Sequence, residues 1–305
     1  MFQYTKDAGL AFLQSQLAHI EAKVYEKKYK AITYPNVIPI SNEAGEFATS
    51  VDYYYIDGRT VAKFIGTTAI DVPISEISMD VISVPVHLGA VGYSYSDEEL
   101  GQAMMLNRPL VQLKANTARR GYEEHLQTVG MNGDTQNNLP GFIDNANVTS
   151  ANVVNPGSGT EWVNKTPDQI LFDITDLCSD VNVDTLQVEA IDTLALPTQQ
   201  YNYLNGTRLT YSDLNIMTWL VNNLSFIKSS ADIISVAELD GAGAGSTDRM
   251  MAYTKDSDKV VMHVPKPLIF HEPVRETLGY KVPGTYKSGG VEFRYPGSAR
   301  YADGI

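Results

Sequence analysis

Residues Val51–Gly66, with the sequence VDYYYIDGRTVAKFIG, have the pattern of a β-hairpin. The Asp57-Gly58 dipeptide supplies the positive φ angles of a tight turn, so the stretch predicts two extended strands that turn at this dipeptide. Three consecutive tyrosines place rings on both faces of the ribbon, and Arg59 and Lys63 add charge, so neither face is wholly apolar or wholly polar. An isolated two-stranded ribbon is marginally stable in water, so another surface must cover it.

The composition predicts a folded, acidic protein. A chain of 305 residues with 43% hydrophobic content is long enough for one large domain or two ordinary ones. Acidic side chains outnumber basic ones by 36 to 23, which gives a net charge of −13. This balance argues against a nucleic-acid-binding surface, because contact with phosphates needs clustered Lys and Arg.

The single cysteine excludes a disulfide framework within the chain. Cys178 lies in a helical apolar stripe with Ile170, Ile174, Leu177 and Val181, so we interpret it as core packing rather than as a nucleophile. No window of the sequence reaches the ~18 apolar residues of a membrane span, and the N-terminus lacks the pattern of a signal peptide. We therefore expect a cytoplasm-like compartment and no membrane partner.

Helices and strands alternate without a regular βαβ repeat, which predicts an α+β fold. An amphipathic helix is expected over Phe12–Tyr29, followed by an extended arm in which Pro35 and Pro39 oppose helix formation. Ser96 and Glu99 form a capping box that opens a helical stretch over residues 97–131. Pro109 interrupts this stretch, so it either kinks one helix or begins a second.

The second half of the chain has further helix and strand signals. A capping box at Thr166 opens a helix, a buried strand is expected around Asp192–Leu196, and another helix near Ser212. Residues 250–264 alternate as a hairpin that turns at Lys255–Asp258, and a last strand lies near the C-terminus.

Motifs of catalysis or metal binding are incomplete. His271-Glu272 is followed by a proline and lacks the second histidine of a zinc helix, and the GYSYS stretch has serine where a nucleophile elbow needs glycine. The GAGAG stretch lacks the lysine of a phosphate loop. We interpret Glu123 and Glu124, beside two arginines, as helix-surface ion pairs. The sequence therefore predicts no catalytic, cofactor-binding or metal-binding residues and no cofactor.

The order of these elements resembles the major capsid proteins of tailed bacteriophages, which have the Hong Kong 97-type shell fold. The closest likeness is to a phage and prophage capsid family once catalogued as a domain of unknown function. It extends from about residue 45 to the C-terminus. The stretches that carry it are FIGTTAIDVPISEISMD, YSYSDEEL, RRGYEEHLQTVGMNGD with PGFIDN, DTLALPTQQYNYL and RYPGSARYADGI.

The resemblance implies a division into five regions. These are an N-terminal arm at 1–44, an extended loop or β-hairpin at 45–85, a peripheral domain at 86–185 with a spine helix at 97–131, an axial domain at 186–268, and a C-terminal strand at 269–305 that returns to the peripheral domain. No long segment precedes the arm, so a separate scaffold protein, or none, is expected rather than a fused one.

The function implied is that of a non-enzymatic shell subunit. It would assemble with itself into hexamers and pentamers of an icosahedral head around double-stranded DNA, bound without sequence specificity. A portal protein, and a scaffold or decoration protein, are the other partners implied. The subunit would occupy the host cytoplasm before assembly and the virion afterwards.

The extended loop is implied to contact a neighbouring subunit, and Pro109 to set a bend in the spine. The contact residues predicted in the loop are Tyr53, Tyr54, Tyr55, Asp57, Gly58, Arg59, Lys63 and Phe64.

Two alternatives stay open at the level of sequence. An encapsulin-like compartment shares the shell fold but encloses enzymes. A soluble hydrolase or carbohydrate-binding protein would need a pocket with convergent polar groups, which the sequence does not locate.

Overall fold

The computed structural model describes residues 29–64, 66, 74–106, 109–157 and 159–305. Residues Ile32–Ile305 form one compact unit. The amphipathic helix predicted over Phe12–Tyr29 lies, except for its last residue, outside the described residues.

The described residues contain α-helices and β-strands in mixed order, as an α+β fold requires. The helices are α1 (Tyr34–Val37), α2 (Asp97–Met105), α3 (Leu110–Asn132), α4 (Pro167–Asp184), α5 (Thr198–Gly206) and α6 (Ile216–Asn223). The strands of the first half are β1 (Ile40–Ser41), β2 (Ser50–Arg59), β3 (Glu76–Ser96) and β4 (Thr149–Asn152). Those of the second half are β5 (Thr193–Leu196), β6 (Ile233–Ser235), β7 (Arg249–Tyr253), β8 (Val260–His263), β9 (Lys266–Phe270), β10 (Val274–Glu276), β11 (Gly279–Gly289), β12 (Val291–Phe293) and β13 (Ala299–Asp303).

Local capping chemistry begins α2 and α4 where the sequence predicts. Ser96 Oγ accepts from the Glu99 N–H, and Glu99 Oε2 accepts from the Ser96 N–H, so both halves of the capping box at α2 are present. Thr166 forms the same box at α4. Pro109 is the N-cap of α3. The described part of the predicted spine is therefore two helices, the second of the two arrangements that the proline allowed.

A five-stranded sheet in the order β4-β13-β7-β5-β6 lies at the centre of the unit. All five residues of β7 are buried, and β7 pairs antiparallel with both β13 and β5. The last strand, β13, has partners in two of the implied regions. β13 pairs with β4, from the proposed peripheral region, but also with β7, from the proposed axial region.

The hairpin predicted at Lys255–Asp258 is wrong. β7 and β8 flank this turn, but β7 belongs to the five-stranded sheet, whereas β8 lies between β1 and β12 in a separate three-stranded sheet. β8 pairs with β1, which precedes it by more than two hundred residues, and β7 pairs with β5 and β13 rather than with its neighbour in the sequence. Short-range alternation does not contain that information.

The extended arm also departs from expectation, because α1 begins at Tyr34 and includes Pro35 in its first turn. Proline is tolerated there, since the first N–H groups of a helix have no partner within the helix. Gln127 Oε1 in α3 accepts hydrogen bonds from the Thr33 and Tyr34 N–H groups at 2.9 and 2.8 Å. A side chain about ninety residues away thus stabilises the helix start. The helix predicted near Ser212 begins at Ile216, with Asn215 as its N-cap.

The turn predicted at Asp57-Gly58 is wrong as well. Both residues lie inside β2, which pairs with β3 without a register shift from Ser50–Pro85 to Arg59–Glu76. The hairpin exists, but residues 60–75 join its strands, and several of those residues lie outside the described part of the chain. Gly58 does not have a positive φ. The continuous ladder therefore overrides the local turn preference of the dipeptide.

Candidate intersubunit surface

The hairpin consists of β2 and the first half of β3, and it extends beyond the sheet that carries it. β3 is 21 residues long and uses its two halves differently. Residues 76–85 pair with β2, whereas residues 86–96 pair with β11 on the other edge. The hairpin half therefore has two strands only, and its ten residue pairs span about 34 Å at ~3.4 Å per residue. We call it the ribbon.

The ribbon register assigns every residue to one of two faces, because side chains alternate along a strand. Face 1 carries the even-numbered residues of β2, and face 2 the odd-numbered ones. The pairs on face 1 are Ser50–Pro85, Asp52–Ser83, Tyr54–Val81, Ile56–Met79 and Gly58–Ile77. The pairs on face 2 are Val51–Val84, Tyr53–Ile82, Tyr55–Asp80, Asp57–Ser78 and Arg59–Glu76.

These pairs show that the apolar surface changes faces halfway along the ribbon. Near the body of the subunit, face 2 is apolar and face 1 is polar, with Ser83 Oγ 2.5 Å from Asp52 Oδ1. Farther out, face 1 becomes apolar and face 2 becomes polar. We call residues 54, 56, 77, 79 and 81 the distal apolar patch. The tyrosine stretch therefore contributes to two separate apolar surfaces, one on face 2 near the body and one on face 1 farther out.

The inner half of face 2 faces the subunit's own body and touches it in places. Val84 is buried, and the Arg294 guanidinium carbon lies 5.6 Å from the centre of the Tyr53 ring. Burial, together with the nearby Glu292 carboxylate, raises the pKa of the Tyr53 phenol to about 12. Tyr53 therefore stays neutral, and it fixes the base of the ribbon.

The distal apolar patch is exposed to solvent. Each of its five side chains is between 59% and 71% exposed: Tyr54, Ile56, Ile77, Met79 and Val81. Exposed apolar side chains are common singly, but a contiguous patch usually marks an interaction site. In the part of the chain that the structure describes, the subunit body faces the opposite side of the ribbon at its base and leaves this patch uncovered.

The other predicted contact residues lie around this patch. Tyr55 and Asp57 are exposed on face 2, and Lys63 and Phe64 are exposed beyond the end of β2. The side chain of Arg59 lies outside the described part of the structure.

Sequence reasoning missed the β3 half of the patch. Ile77, Met79 and Val81 were not among the predicted contacts, because both strands of the hairpin were expected within residues 51–66, on either side of Asp57-Gly58. The alternation of ISMDVISV contained the signal, since it places these three side chains on one face.

A cleft of about 810 Å³ lies at the ribbon base. One wall is the inner half of face 2, with Tyr53 and Ile82, and another is β12 with the residues that follow it. Glu292, from β12, is 5% exposed, and its Oε2 lies 2.8 Å from His263 Nε2. We call this space the ribbon cleft.

Motifs considered for catalysis have structural positions. Cys178 is buried, and burial raises the pKa of its thiol to about 12, as a packing role requires. Arg120 Nε donates to Glu124 Oε1 at 2.8 Å along α3. His271 Nε2 lies 2.8 Å from Thr285 Oγ1 on the neighbouring strand. Within the described ranges, no group of three or more His, Cys, Asp or Glu side chains is arranged to hold a metal, and no helix has the length and apolarity of a membrane span.

A family model for major capsid proteins matches residues 60–305. The chain belongs to the major capsid protein family. It is therefore a structural subunit of a capsid, and the family resemblance inferred from the sequence is confirmed. Comparison with curated protein sequences gives no match.

Solved structures confirm the shell fold. The capsid chain of Myoviridae phage XM1 is 20% identical, with a TM-score of 0.82 over 95% of this chain and 98% of that one. A capsid chain of the native GTA particle is 10% identical, with a TM-score of 0.68 over 99% and 100% of the two chains. A chain from Mycobacterium phage Ogopogo is 14% identical, with a TM-score of 0.64 over 95% and 98%. Neither the encapsulin-like reading nor the hydrolase or carbohydrate-binding reading is favoured by this family membership.

Proposed function

We propose that this capsid protein assembles with itself into the hexamers and pentamers of an icosahedral head of a tailed bacteriophage, which encloses double-stranded DNA. The role is mechanical, without a catalytic step. The ribbon is the element that links subunits, and its distal apolar patch packs on a neighbouring copy.

The exposed distal apolar patch is the observation that carries this proposal. Full burial of a Tyr, Ile or Met side chain stabilises a complex by about 1.5–3 kcal/mol relative to exposure. The patch lies on face 1, whereas the subunit's own body contacts face 2. None of the described residues of the subunit body covers the patch. A neighbouring copy supplies the cover in our proposal, since repeated identical contacts are how one protein builds a closed shell.

Several finer assignments belong to the same proposal. The regions at 1–44, 45–85, 86–185, 186–268 and 269–305 act as arm, ribbon loop, peripheral domain, axial domain and C-terminal segment. Pro109, which begins α3, sets the angle between α2 and α3, and Pro109→Ala is expected to broaden the distribution of particle diameters in electron micrographs.

The negative net charge of the chain is consistent with a container for DNA. A net charge of −13 weakens attraction to the packaged phosphates, and this favours packaging and release of the genome. A portal protein, and a separate scaffold or decoration protein, are the proposed further partners. The subunits fill the host cytoplasm before they enter the virion.

A pair of double variants tests the role of the distal apolar patch. Ile56→Thr with Met79→Thr makes one cross-strand pair of face 1 polar, and threonine at both positions has a high strand propensity. Asp57→Thr with Ser78→Thr changes the adjacent pair on face 2 and serves as the control. We expect the first variant to lose particles by about tenfold or more, with an unchanged melting temperature of the dissociated subunit. The control should assemble normally.

Sedimentation velocity and electron microscopy distinguish the outcomes. Particles of wild-type yield and diameter from the Ile56/Met79 variant would show that the patch is not an interface. A lowered melting temperature of its dissociated subunit would show that the patch packs on its own chain.

A further inference from the structure

A pair of carboxylates lies at one end of the central five-stranded sheet. The segments that follow β5 and β6 and the one that precedes β7 meet there, because β5 pairs parallel with β6 and antiparallel with β7. They bring together Gln200 in α5, Asp240 beyond β6 and Asp248 immediately before β7. The two aspartates flank the GAGAG stretch, to which the proposed function gives no role. We call the three residues the loop-base cluster.

The two carboxylates of this cluster are in contact and are not neutralised. The carboxyl groups of Asp240 and Asp248 lie within hydrogen-bonding distance of each other. None of the ion pairs within the described ranges includes either aspartate. The neighbouring Arg249 is already engaged, because its guanidinium donates to both carboxylate oxygens of Asp303 at 2.6 and 2.9 Å. Two carboxylates in contact repel each other when both are ionised, so the pair favours binding of a proton or a cation.

A buried amide oxygen beside the pair lacks a partner. Gln200 is 7% exposed, and its Nε2 donates to Asp248 Oδ2, which holds the amide group against the carboxylates. Its Oε1 has no hydrogen-bond partner among the described residues. A buried polar atom without a partner calls for an explanation, such as a bound water or ion. A water molecule would hydrate Oε1 and leave both negative charges in place, whereas a cation satisfies the amide oxygen and neutralises the carboxylates.

We propose that the loop-base cluster binds a calcium ion through side-chain oxygens of Asp240, Asp248 and Gln200. Carboxylate and amide oxygens are the ligands of hard divalent cations, and calcium accepts a larger and less regular set of them than magnesium does. Three side chains leave several positions to water, which is typical of weak sites with a Kd of roughly 10⁻⁴–10⁻³ M. The ion ties α5 to both ends of the loop at 240–248. The inference is independent of the proposed function, because the whole site lies within one subunit.

Calorimetry and thermal unfolding of the dissociated subunit test the site. We expect titration of the EDTA-treated protein with calcium chloride to show binding with a Kd of roughly 10⁻⁴–10⁻³ M. Calcium at about 10 mM should raise the melting temperature by about 2–5 °C relative to EDTA. Sodium chloride of the same ionic strength should have a smaller effect, since it only screens the repulsion. A shift that sodium chloride reproduces in full, or the absence of both binding and shift, would overturn the inference.

Asparagine variants locate the ion. Asp240→Asn and Asp248→Asn each remove one negative charge from the cluster, and Asp213→Asn, at an exposed loop position, is the matched control. We expect either cluster variant to bind calcium about tenfold or more weakly and to lose the calcium-induced shift, because ligand charge sets the affinity. In EDTA, Asp240→Asn removes only the repulsion, so this variant stays folded. The control should keep both binding and shift.

Equal calcium binding by the wild type and by both cluster variants would place the ion elsewhere and overturn the inference. All of these measurements use the dissociated subunit, so their failure leaves the proposed assembly function to its own test with the distal apolar patch.

Discussion

Strand β7 and the distal half of the ribbon are both rich in large apolar side chains, but only β7 is buried. Tyr253 in β7 is completely buried, and its hydroxyl donates to the Val37 carbonyl at 2.7 Å. Tyr54 in β2 is 68% exposed. β7 has a strand on each side and core residues on both faces. The distal ribbon has one partner strand, and no described residue covers its face 1. Apolar content alone therefore does not separate core from interface.

The sharpest test of this contrast replaces one phenylalanine that packs against β7 and another that lies just beyond the end of β2. Phe142 is fully buried, with its ring 5.0 Å from that of Tyr253, and Phe64 is fully exposed near the ribbon end. We expect Phe142→Ala to reduce the free energy of unfolding of the dissociated subunit by about 3–5 kcal/mol. Phe64→Ala should change it by less than ~0.5 kcal/mol. Urea denaturation measures both, and a cost above ~2 kcal/mol for Phe64→Ala would place the ribbon end in its own subunit's core.

A smaller effect is expected where the ribbon strand continues into the body. Gly89 in β3 faces Tyr286 in β11, and a Cβ at position 89 would lie 2.2 Å from Cζ of that ring. The ring is held in an edge contact with Tyr122, 4.8 Å between centres. We expect Gly89→Ala to displace the ring and to reduce the free energy of unfolding by about 1–3 kcal/mol.

The double variant Gly89→Ala with Tyr286→Ala checks the cause. Its loss of stability should be less than the sum of the two single losses, because the clash exists only when both the methyl group and the ring are present. Strictly additive losses would contradict this explanation.

Gly58, in the ribbon, should respond in the opposite sense. A Cβ there would meet nothing closer than Ile77 Cγ1 at 4.0 Å, and its φ is not positive. Gly58→Val therefore removes chain entropy from the unfolded state and adds a β-favouring residue to the strand. We expect an unchanged or slightly higher melting temperature, a gain of roughly 0.5 kcal/mol. A marked loss of stability would instead indicate that Gly58 occupies a turn that requires a positive φ.

The smallest effect is expected at a charged surface of the body. The Asp248 side chain, by hydrogen bonding and then by its negative charge, raises the pKa of Asp240. The folded state then binds more protons than the unfolded state between the ordinary and the raised pKa, so stability falls as pH rises through this window. We expect Asp240→Asn to raise the melting temperature slightly at neutral pH, with the difference vanishing in acid. A difference that is independent of pH would exclude the carboxylate pair as its source.

Features encoded by neighbouring residues were predictable from the sequence. The capping boxes at Ser96 and Thr166 and the buried stripe around Cys178 need only the 3.6-residue period and side chains a turn away. The presence of a hairpin after the arm was also predictable. The position of its turn was not, because a ten-residue ladder with β3 outweighs the preference of a single Asp-Gly dipeptide.

The starts of α2 and α4, the apolar stripe around Cys178 and the absence of a disulfide framework follow from the sequence alone, since local hydrogen bonds and side-chain spacing are sufficient for these. The capsid family was recognised from the resemblance of several sequence stretches to that family. Strand pairing and the packing of distant surfaces, by contrast, became known only from the three-dimensional structure. The separation of β7 from β8, the helix at Pro35 capped by Gln127, and the change of faces along the ribbon all depend on partners distant in the chain. The pairing register sets which face of the sheet each side chain occupies. The tyrosine stretch is therefore compatible with a core strand or with an exposed one, and the partner strand determines which of the two forms.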